Sequence, residues 1–275
     1  GIGAGMSLTR FSLAGLAVAL VGAAVRDARA DDLTISTATT TPVVTSNASN
    51  ASAGDVTITT AGSIAVTAGQ TAVTVDSNND VTNNGAITSN NANDVIGILL
   101  QGGFAGPQTI TNAGSINLLE DYTQTDSDND GNLDGLIATG SNRTGIWLQA
   151  GAAFNGDILQ NGNILIEGNN SAGIRLDAQV IGDLTTDTSS SLTVAGDNGV
   201  GVAINSGVDG DVAILSSVTM RGENSVGLLV DGPITGGLSI GGTWVVSGYN
   251  SLVRPLTEEG LNALDPEDQL QSGSA

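Results

Sequence analysis

The sequence contains no cysteine, no histidine and no lysine, and aromatic residues make up only 3% of its 275 residues. Without histidine and cysteine, the chain has neither a Ser-His pair nor a thiolate, which excludes the usual forms of nucleophilic catalysis. Few aromatic side chains remain to build the stacked platform of a polysaccharide-cleaving enzyme. The lack of cysteine does not exclude export, because disulfides are not required in large exported proteins.

The N-terminal segment has the pattern of a secretory signal peptide. An apolar run from Phe11 to Val25 follows Arg10, and the segment 28–30, Ala-Arg-Ala, has the small-x-small pattern that signal peptidase cleaves. The run is shorter than the roughly 20 residues of a membrane-spanning helix, so an uncleaved anchor is the weaker alternative. We predict a signal peptide over residues 1–30 and a mature chain that begins at Asp31.

Acidic residues far outnumber basic ones. The chain has 28 acidic residues and seven arginines, for a formal net charge of −21, and removal of residues 1–30 changes this charge to −23. Repulsion from such a charge excludes nucleic acid and anionic lipid as partners. The same surplus of carboxylates favours the binding of divalent cations.

Glycine recurs along the chain at regular intervals. Three columns share a spacing that varies only between 26 and 28: Gly140, Gly168, Gly196, Gly222 and Gly248; Gly145, Gly173, Gly201 and Gly227; Gly156, Gly182, Gly210 and Gly236. Three columns in step indicate an internal repeat, and such a repeat determines the architecture of the whole chain.

Between the glycines, apolar and polar residues alternate with the period of two that is typical of strands. One strand has the inward pairs Ile164/Ile166, Leu192/Val194, Val218/Met220 and Trp244/Val246. A second has Ile146/Leu148, Ile174/Leu176, Val202/Ile204 and Leu228/Val230. A third begins near Ile158, Leu184, Val212 and Leu238. Each repeat is therefore predicted to be three short strands separated by Gly/Asn corners.

One three-strand unit cannot bury its apolar face alone, but coils stacked about 4.8 Å apart form a continuous core. We therefore predict an all-β fold, a right-handed parallel β-helix over residues 55–254. A propeller, which needs a period near 40, and a calcium-binding β-roll, which needs another glycine pattern, are excluded. Residues 31–54 are expected to be an N-terminal cap or, preferably, a flexible lead, and residues 255–275 an irregular segment.

One coil is longer than the others. The interval from Gly97 to Gly145 is much longer than one repeat, so an extra segment is inserted there, mostly over 119–138. The insertion contains the acidic stretch DSDNDGNLDG, Asp126 to Gly135.

The acidic stretch follows the first nine positions of an EF-hand-like calcium loop, with Gly131 at the sharp turn. The candidate oxygen ligands are Asp126, Asp128, Asp130, the backbone of Asn132, and Asp134. The twelfth position is Ile137, so Glu120 or Asp121 would have to complete the site. We expect one Ca²⁺ ion that braces the insertion; a solvated acidic loop is the alternative.

An enzyme has to be considered, because β-helices include polysaccharide lyases and hydrolases. Asp157, Asp183 and Asp211 are predicted to stack one coil apart, near the ~5 Å separation of a retaining glycosidase pair, although turn residues before a strand are the favoured interpretation. Arg175 and Arg221 are expected to face outward on different strands. The outward Trp147 is expected to cover the insertion, with contact to a ligand as the alternative. We therefore predict no catalytic residues.

The signal peptide and the coils that follow it, as in NGNILIEGNNSAGIRLDAQVIGDL from Asn161 to Leu184, resemble the passenger region of bacterial autotransporters (type V secretion). The resemblance covers most of residues 55–254, and filamentous adhesins share the coil pattern. It implies a monomeric stalk or adhesin at the surface of a Gram-negative bacterium or outside it. Its ligand would lie on a host cell, a matrix or a neighbouring cell.

The resemblance also implies export by a C-terminal outer-membrane β-barrel. No barrel-like strands follow Arg254, so we expect the chain to continue into a further C-terminal region. Two alternative functions stay open: a polysaccharide lyase or hydrolase, and a calcium-dependent surface-layer or matrix protein.

Overall fold

A computed structural model describes residues 32–127, 129, 133–248, 256–263 and 273–274. The predicted signal peptide over residues 1–30 lies outside this part of the chain. The helical segments of the described residues all lack the length and hydrophobicity of a membrane-spanning helix.

Short strands follow one another in coils of three. The first three coils contain β1 (Leu33–Ile35), β2 (Ala38–Thr39), β3 (Val43–Val44), β4 (Val56–Ile58), β5 (Ser63–Ala65), β6 (Thr71–Val75), β7 (Val81–Asn83), β8 (Ala86–Asn90) and β9 (Val95–Leu100). The fourth and fifth contain β10 (Gln108–Asn112), β11 (Ser115–Leu119), β12 (Arg143–Leu148), β13 (Phe154–Gln160), β14 (Asn163–Glu167) and β15 (Ala172–Leu176).

The later coils include short extra strands, β16 and β20, which pair beside the main path. These later strands are β16 (Gln179–Ile181), β17 (Leu184–Thr186), β18 (Ser191–Ala195), β19 (Val200–Ile204), β20 (Gly207–Asp209), β21 (Val212–Ile214), β22 (Ser217–Arg221), β23 (Ser225–Val230), β24 (Leu238–Ile240), β25 (Trp244–Ser247) and β26 (Gly273–Ser274). The helical segments of the described residues are a 3-10 turn at Thr45–Asn47 and a single turn of α-helix, α1, at Glu258–Asn262.

The strands form three parallel sheets, because each strand pairs with the equivalent strand of the next coil. Sheet 1 has the order β1-β4-β7-β10-β13-β17-β21-β24, with β16 and β20 beside it. Sheet 2 has the order β2-β5-β8-β11-β14-β18-β22-β25, and sheet 3 runs from β3 through β6, β9, β12, β15, β19 and β23 to β26. The predicted all-β fold is confirmed as a parallel β-solenoid of about seven turns with three strands per coil.

The first coil begins earlier than the sequence suggests. Strands β1, β2 and β3 lie within residues 31–54, for which a cap or a flexible lead was expected, and each pairs with its counterpart in the second coil. The side chain of Ile35 is 8% exposed and joins the core. The segment is therefore the first coil of the solenoid.

The predicted columns of apolar residues form the core, except near the last coil, where Val230 is 41% exposed and Leu238 is 47% exposed. Ile146 of β12 pairs with Ile174 of β15, which pairs with Val202 of β19, and all three side chains are fully buried. The pairs predicted for the other two strands are also in register, for example Ile164 beside Leu192. Stacking thus gives each coil an apolar neighbour above and below, which a single coil lacks.

Glycine and asparagine form the corner before four strands of sheet 3: β12, β15, β19 and β23. Gly196 has a φ of +149°, and a Cβ there would come within 2.2 Å of the carbonyl oxygen of Gly168, so a larger residue does not fit. Asn170 and Asn198, two residues after these glycines, have φ values of 51° and 55°. Asparagine tolerates this left-handed conformation better than most residues. The predicted Gly/Asn corners are confirmed before these four strands, whereas the corner between β17 and β18 contains neither residue type.

A ladder of buried amide side chains runs inside the solenoid. Asn83 Nδ2 donates to Asn112 Oδ1 over 2.7 Å, and Asn112 Nδ2 donates to Gln160 Oε1 over 2.8 Å. All three residues are fully buried. Each amide satisfies its neighbour's hydrogen-bonding capacity, so the ladder joins three coils without an unpaired polar group between its members.

The amide ladder yields a stability prediction. Replacement Asn112→Ala leaves the Gln160 carbonyl oxygen without its donor in the dry interior, and we expect the free energy of unfolding to fall by about 1–3 kcal/mol. Urea unfolding followed by far-UV circular dichroism measures the change. The matched control is Asn117→Ala on β11, which removes a partly exposed asparagine from the same coil. Equal effects of the two substitutions would contradict the role given to the ladder.

Candidate functional site

The insertion predicted over residues 119–138 leaves the solenoid after β11 and returns at β12. Within the described residues, no strand lies between Leu119 and Arg143. An antiparallel bridge joins Thr125 to Asp134, whose N–H donates to the Thr125 carbonyl oxygen over 2.9 Å. The bridge closes the base of the acidic loop, so its first and last residues lie close together.

Only part of the predicted calcium loop is described. Asp126 and Asp134 belong to the described residues, and the Asp134 carboxylate accepts hydrogen bonds from the N–H and the hydroxyl of Ser127. The remaining candidate ligands lie outside the described residues: Asp128, Asp130 and Asn132. In the part of the chain that is described, no three carboxylates are grouped as a metal site would require.

The two carboxylates suggested as additional calcium ligands have partners in the solenoid. Asp121 accepts hydrogen bonds from the side-chain amides of Asn90 and Asn91, over 2.7 and 2.5 Å, and these bonds lower its pKa. Glu120 Oε1 accepts the N–H of Thr139 over 2.7 Å, and its Oε2 accepts the N–H of Gly140 over 2.6 Å. The Glu120 carboxylate therefore holds the start and the end of the insertion together.

Arg143, directly after the insertion, is buried. It is 1% exposed, and its Nε donates to the Ala92 carbonyl oxygen over 2.8 Å. Its Nη1 donates to the Glu167 carbonyl oxygen, and its Nη2 lies 3.4 Å from Glu120 Oε2. Burial lowers the pKa of Arg143, while the negative charges of Glu120 and Glu167 oppose the shift. The guanidinium thus connects three successive coils at the base of the insertion.

The insertion lies over the outer face of sheet 2 and encloses a cleft of about 220 Å³. Tyr122, Gln124 and Leu133 line it from the insertion, and Glu167 and Arg221 line it from the sheet. Arg221 Nη2 donates to Gln124 Oε1, and burial beneath the insertion lowers the pKa of Arg221. Arg221 is therefore on the outer face of its strand but covered by the insertion.

The repeated aspartates form a ladder along one corner. Asp157 Oδ1 accepts the N–H of Asp183 over 2.8 Å, and Asp183 Oδ1 accepts the N–H of Asp211 over 2.7 Å. Asp211 Oδ1 accepts the N–H of Gly237 over 2.7 Å. Upstream coils have the same bond in the pairs Asp55–Asp80 and Asp80–Thr109. Each carboxylate binds the backbone of the following coil, which supports the interpretation of these residues as turn residues.

A polar cluster on the outer face of sheet 3 was not predicted. Trp147 and Arg175 are partners on β12 and β15, and the guanidinium carbon of Arg175 lies 5.2 Å from the centre of the Trp147 ring. Trp147 Nε1 donates to Asp177 Oδ2 over 2.8 Å, and Asn205 Nδ2 donates to Asp177 Oδ1 over 2.7 Å. The expectation that Trp147 covers the insertion is wrong, because its ring and its N–H contact this cluster.

Asp177 is the centre of the cluster. Arg175 Nε lies 3.0 Å from its Oδ1 and 2.8 Å from its Oδ2. Burial alone would raise the pKa of Asp177, but the hydrogen bonds from Arg175, Asn205 and Trp147 together outweigh burial and lower it. The carboxylate is therefore held ionised. A signal for this cluster is present in the sequence, since Trp147 and Arg175 are one repeat apart.

A groove of about 250 Å³ lies on sheet 3 beside the cluster. Its lining combines an arginine, amides and hydroxyls with a few small or aliphatic side chains, and includes Arg175, Asn170, Asn198, Thr144, Ser171 and Leu229. The Asn198 Nδ2 donates to Asn170 Oδ1 over 3.2 Å, so these two amides follow the coil spacing along the groove. The groove is therefore an open feature of the outer surface with both polar and apolar lining.

Comparison with known proteins gives no identification. No protein-family model matches the chain, and neither does any curated protein or solved structure.

Removal of the buried cation at the base of the insertion should destabilise the protein. Replacement Arg143→Met leaves the Glu120 carboxylate buried without its counter-charge, and we expect the free energy of unfolding to fall by about 3–5 kcal/mol. Arg175→Met, at an exposed position, is the matched control and should change it by less than about 1 kcal/mol. Urea unfolding of the three proteins tests this, and an Arg143→Met protein as stable as the control would contradict it.

Proposed function

We propose that this chain is an exported, non-enzymatic β-solenoid that serves as a surface scaffold or adhesin, as in the passenger regions of bacterial autotransporters. The β-solenoid fold, the N-terminal signal pattern and the high negative charge support this function. The proposed location is the surface or the exterior of a Gram-negative cell, where the solenoid presents its outer faces to ligands.

The observation that carries the non-enzymatic role is the ladder of Asp157, Asp183 and Asp211. General acid-base cleavage of a glycosidic bond needs one carboxyl that protonates the leaving group and another that attacks or activates water. Here each of these carboxylates accepts a backbone N–H of the next coil. The three carboxylates therefore have equivalent surroundings, whereas an acid and its partner need different ones.

Export is tested by production of the full chain in a Gram-negative host. We expect the protein in the periplasmic fraction, with Asp31 as its N-terminal residue by protein sequencing, because Ala30 ends a signal-peptidase site. The variant Ala30→Leu places a large residue at the cleavage position and should retain residues 1–30. A cytoplasmic wild-type chain with an intact N-terminus would contradict the proposal.

The same purified protein tests the non-enzymatic role. It should release neither reducing ends nor unsaturated products from an acidic polysaccharide. Cleavage that disappears in Asp183→Asn or Asp211→Asn would overturn the proposal in favour of a polysaccharide lyase or hydrolase.

We also propose that the insertion binds one Ca²⁺ ion through Asp126, Asp128, Asp130, the Asn132 carbonyl and Asp134. The bridge between Thr125 and Asp134 supports this, since it brings the two ends of the loop together. The ion would brace the insertion through hard oxygen ligands.

Calcium binding is measured by isothermal titration calorimetry. We expect one site in the wild-type chain, and a loss of affinity of about tenfold or more on Asp128→Ala, because one carboxylate ligand is lost. Asp157→Ala removes an acidic residue on the aspartate ladder and serves as the control. Unchanged titration of Asp128→Ala would contradict a site in the insertion, and calcium-dependent assembly of the protein would favour a surface-layer or matrix role.

A further inference from the structure

The exposed positive charge of sheet 3 is unusual in this acidic chain. Of the arginines in the described residues, Arg143 is buried and Arg221 lies beneath the insertion, whereas the side chain of Arg175 is 47% exposed. Arg175 also lines the groove on sheet 3. A guanidinium at the wall of a groove offers a charged, directional contact to an anion.

The Arg175 guanidinium is held in place. Its Nε binds Asp177, and its central carbon lies over the ring of Trp147 at 5.2 Å, a distance at which a cation and an aromatic face attract each other. Asp177 is itself fixed by Trp147 and Asn205 and is only 11% exposed. Within the described residues, Nη1 and Nη2 of Arg175 make no hydrogen bond. The cluster thus orients a guanidinium whose terminal nitrogens are still available as donors.

The walls of the groove add neutral polar groups to this charge. Asn170 and Asn198 are exposed at corner positions of successive coils and supply the neutral donors and acceptors, whereas the Ser171 hydroxyl is buried and already binds the Asn169 carbonyl oxygen. Amides both donate and accept hydrogen bonds, as the hydroxyl groups of a saccharide require. The groove also has aliphatic surface from Val200 and Leu229, so its lining matches the mixed polar and apolar faces of a saccharide.

We propose that the groove on sheet 3 binds a saccharide that carries an isolated carboxylate, such as a uronic acid unit. The carboxylate pairs with the terminal nitrogens of Arg175, and the sugar hydroxyls bind the Asn170 and Asn198 amides. This inference names the ligand class of the proposed surface role and rests on it. The net charge of −21 opposes densely charged polyanions, so the ligand carries few charges.

A peptide with an acidic side chain fits the groove less well. Peptides commonly bind to a solenoid or sheet by adding a strand to a free edge. Strands β12, β15 and β19 beneath the groove are each paired on both sides, so no backbone edge is free there.

The test uses the full chain and two probes that differ in one group: xylotriose, and xylotriose with a single glucuronic acid unit. Binding is measured by titration calorimetry and by the indole N–H resonances of ¹⁵N-labelled protein. The chain has only two tryptophans, so Trp244→Phe assigns the Trp147 signal. We expect the acidic probe to bind and to shift the Trp147 resonance while the Trp244 resonance stays unchanged.

Arg175→Met should weaken binding of the acidic probe by about 10- to 100-fold, the range expected for lost charge-assisted hydrogen bonds. Arg175→Lys should restore only part of the affinity, because a lysine ammonium lacks the planar guanidinium that binds a carboxylate through two N–H groups. Arg221→Met is the matched control and should bind as wild type. Circular dichroism verifies that each variant is folded.

Equal binding of the two saccharides, unchanged binding by Arg175→Met, or no binding of the acidic probe would overturn the inference. Tighter binding of an acidic hexapeptide with one glutamate would replace the saccharide with a peptide ligand. These outcomes are independent of signal-peptide cleavage: an exported chain that ignores the acidic probe refutes this inference alone, whereas a cytoplasmic chain refutes the proposed function.

Discussion

Parallel hydrogen bonding between successive coils is the interaction on which the rest of the structure depends. It fixes a rise of about 4.8 Å from coil to coil and sets each residue beside its counterpart one repeat later. A position that is apolar in every coil becomes a continuous core, and a position that is aspartate becomes a ladder. Side chains that would stabilise little in a single coil therefore act together, because each has like neighbours on both sides.

The repeating part of the fold could be predicted from the sequence because the period determines the register. Ile146 and Ile174 are one repeat apart and are partners in sheet 3, as the glycine columns indicate. The same period aligns Trp147 with Arg175. Their stacking depends on side-chain conformations, which the alternation of apolar and polar residues does not specify. Both also contact Asp177, which lies just beyond the end of β15.

Residues that do not recur at the equivalent position of other coils could not be predicted in this way. Gln160 replaces the asparagine of the buried amide ladder, so a search for a repeated asparagine overlooks it. Arg143 would be expected to face solvent, since arginine is rarely buried without partners. Its partners come from separate coils and meet only after the chain has stacked. The first coil, from Leu33 onward, was missed because its Thr- and Ser-rich sequence resembles that of a flexible segment.

The burial of Arg143 also gives the stack a unique alignment. The coils of a solenoid are similar, so a coil that paired with the wrong neighbour would still place apolar residues beside apolar residues. The apolar columns alone therefore discriminate poorly between correct and shifted pairing. The guanidinium contacts Ala92 in the third coil, Glu120 in the fourth and Glu167 in the fifth. A shifted stack would separate these groups and leave a buried charge uncompensated, at a cost of several kcal/mol. Arg143 thereby determines that the third, fourth and fifth coils stack in this order, and the pairing of the coils on either side follows from it.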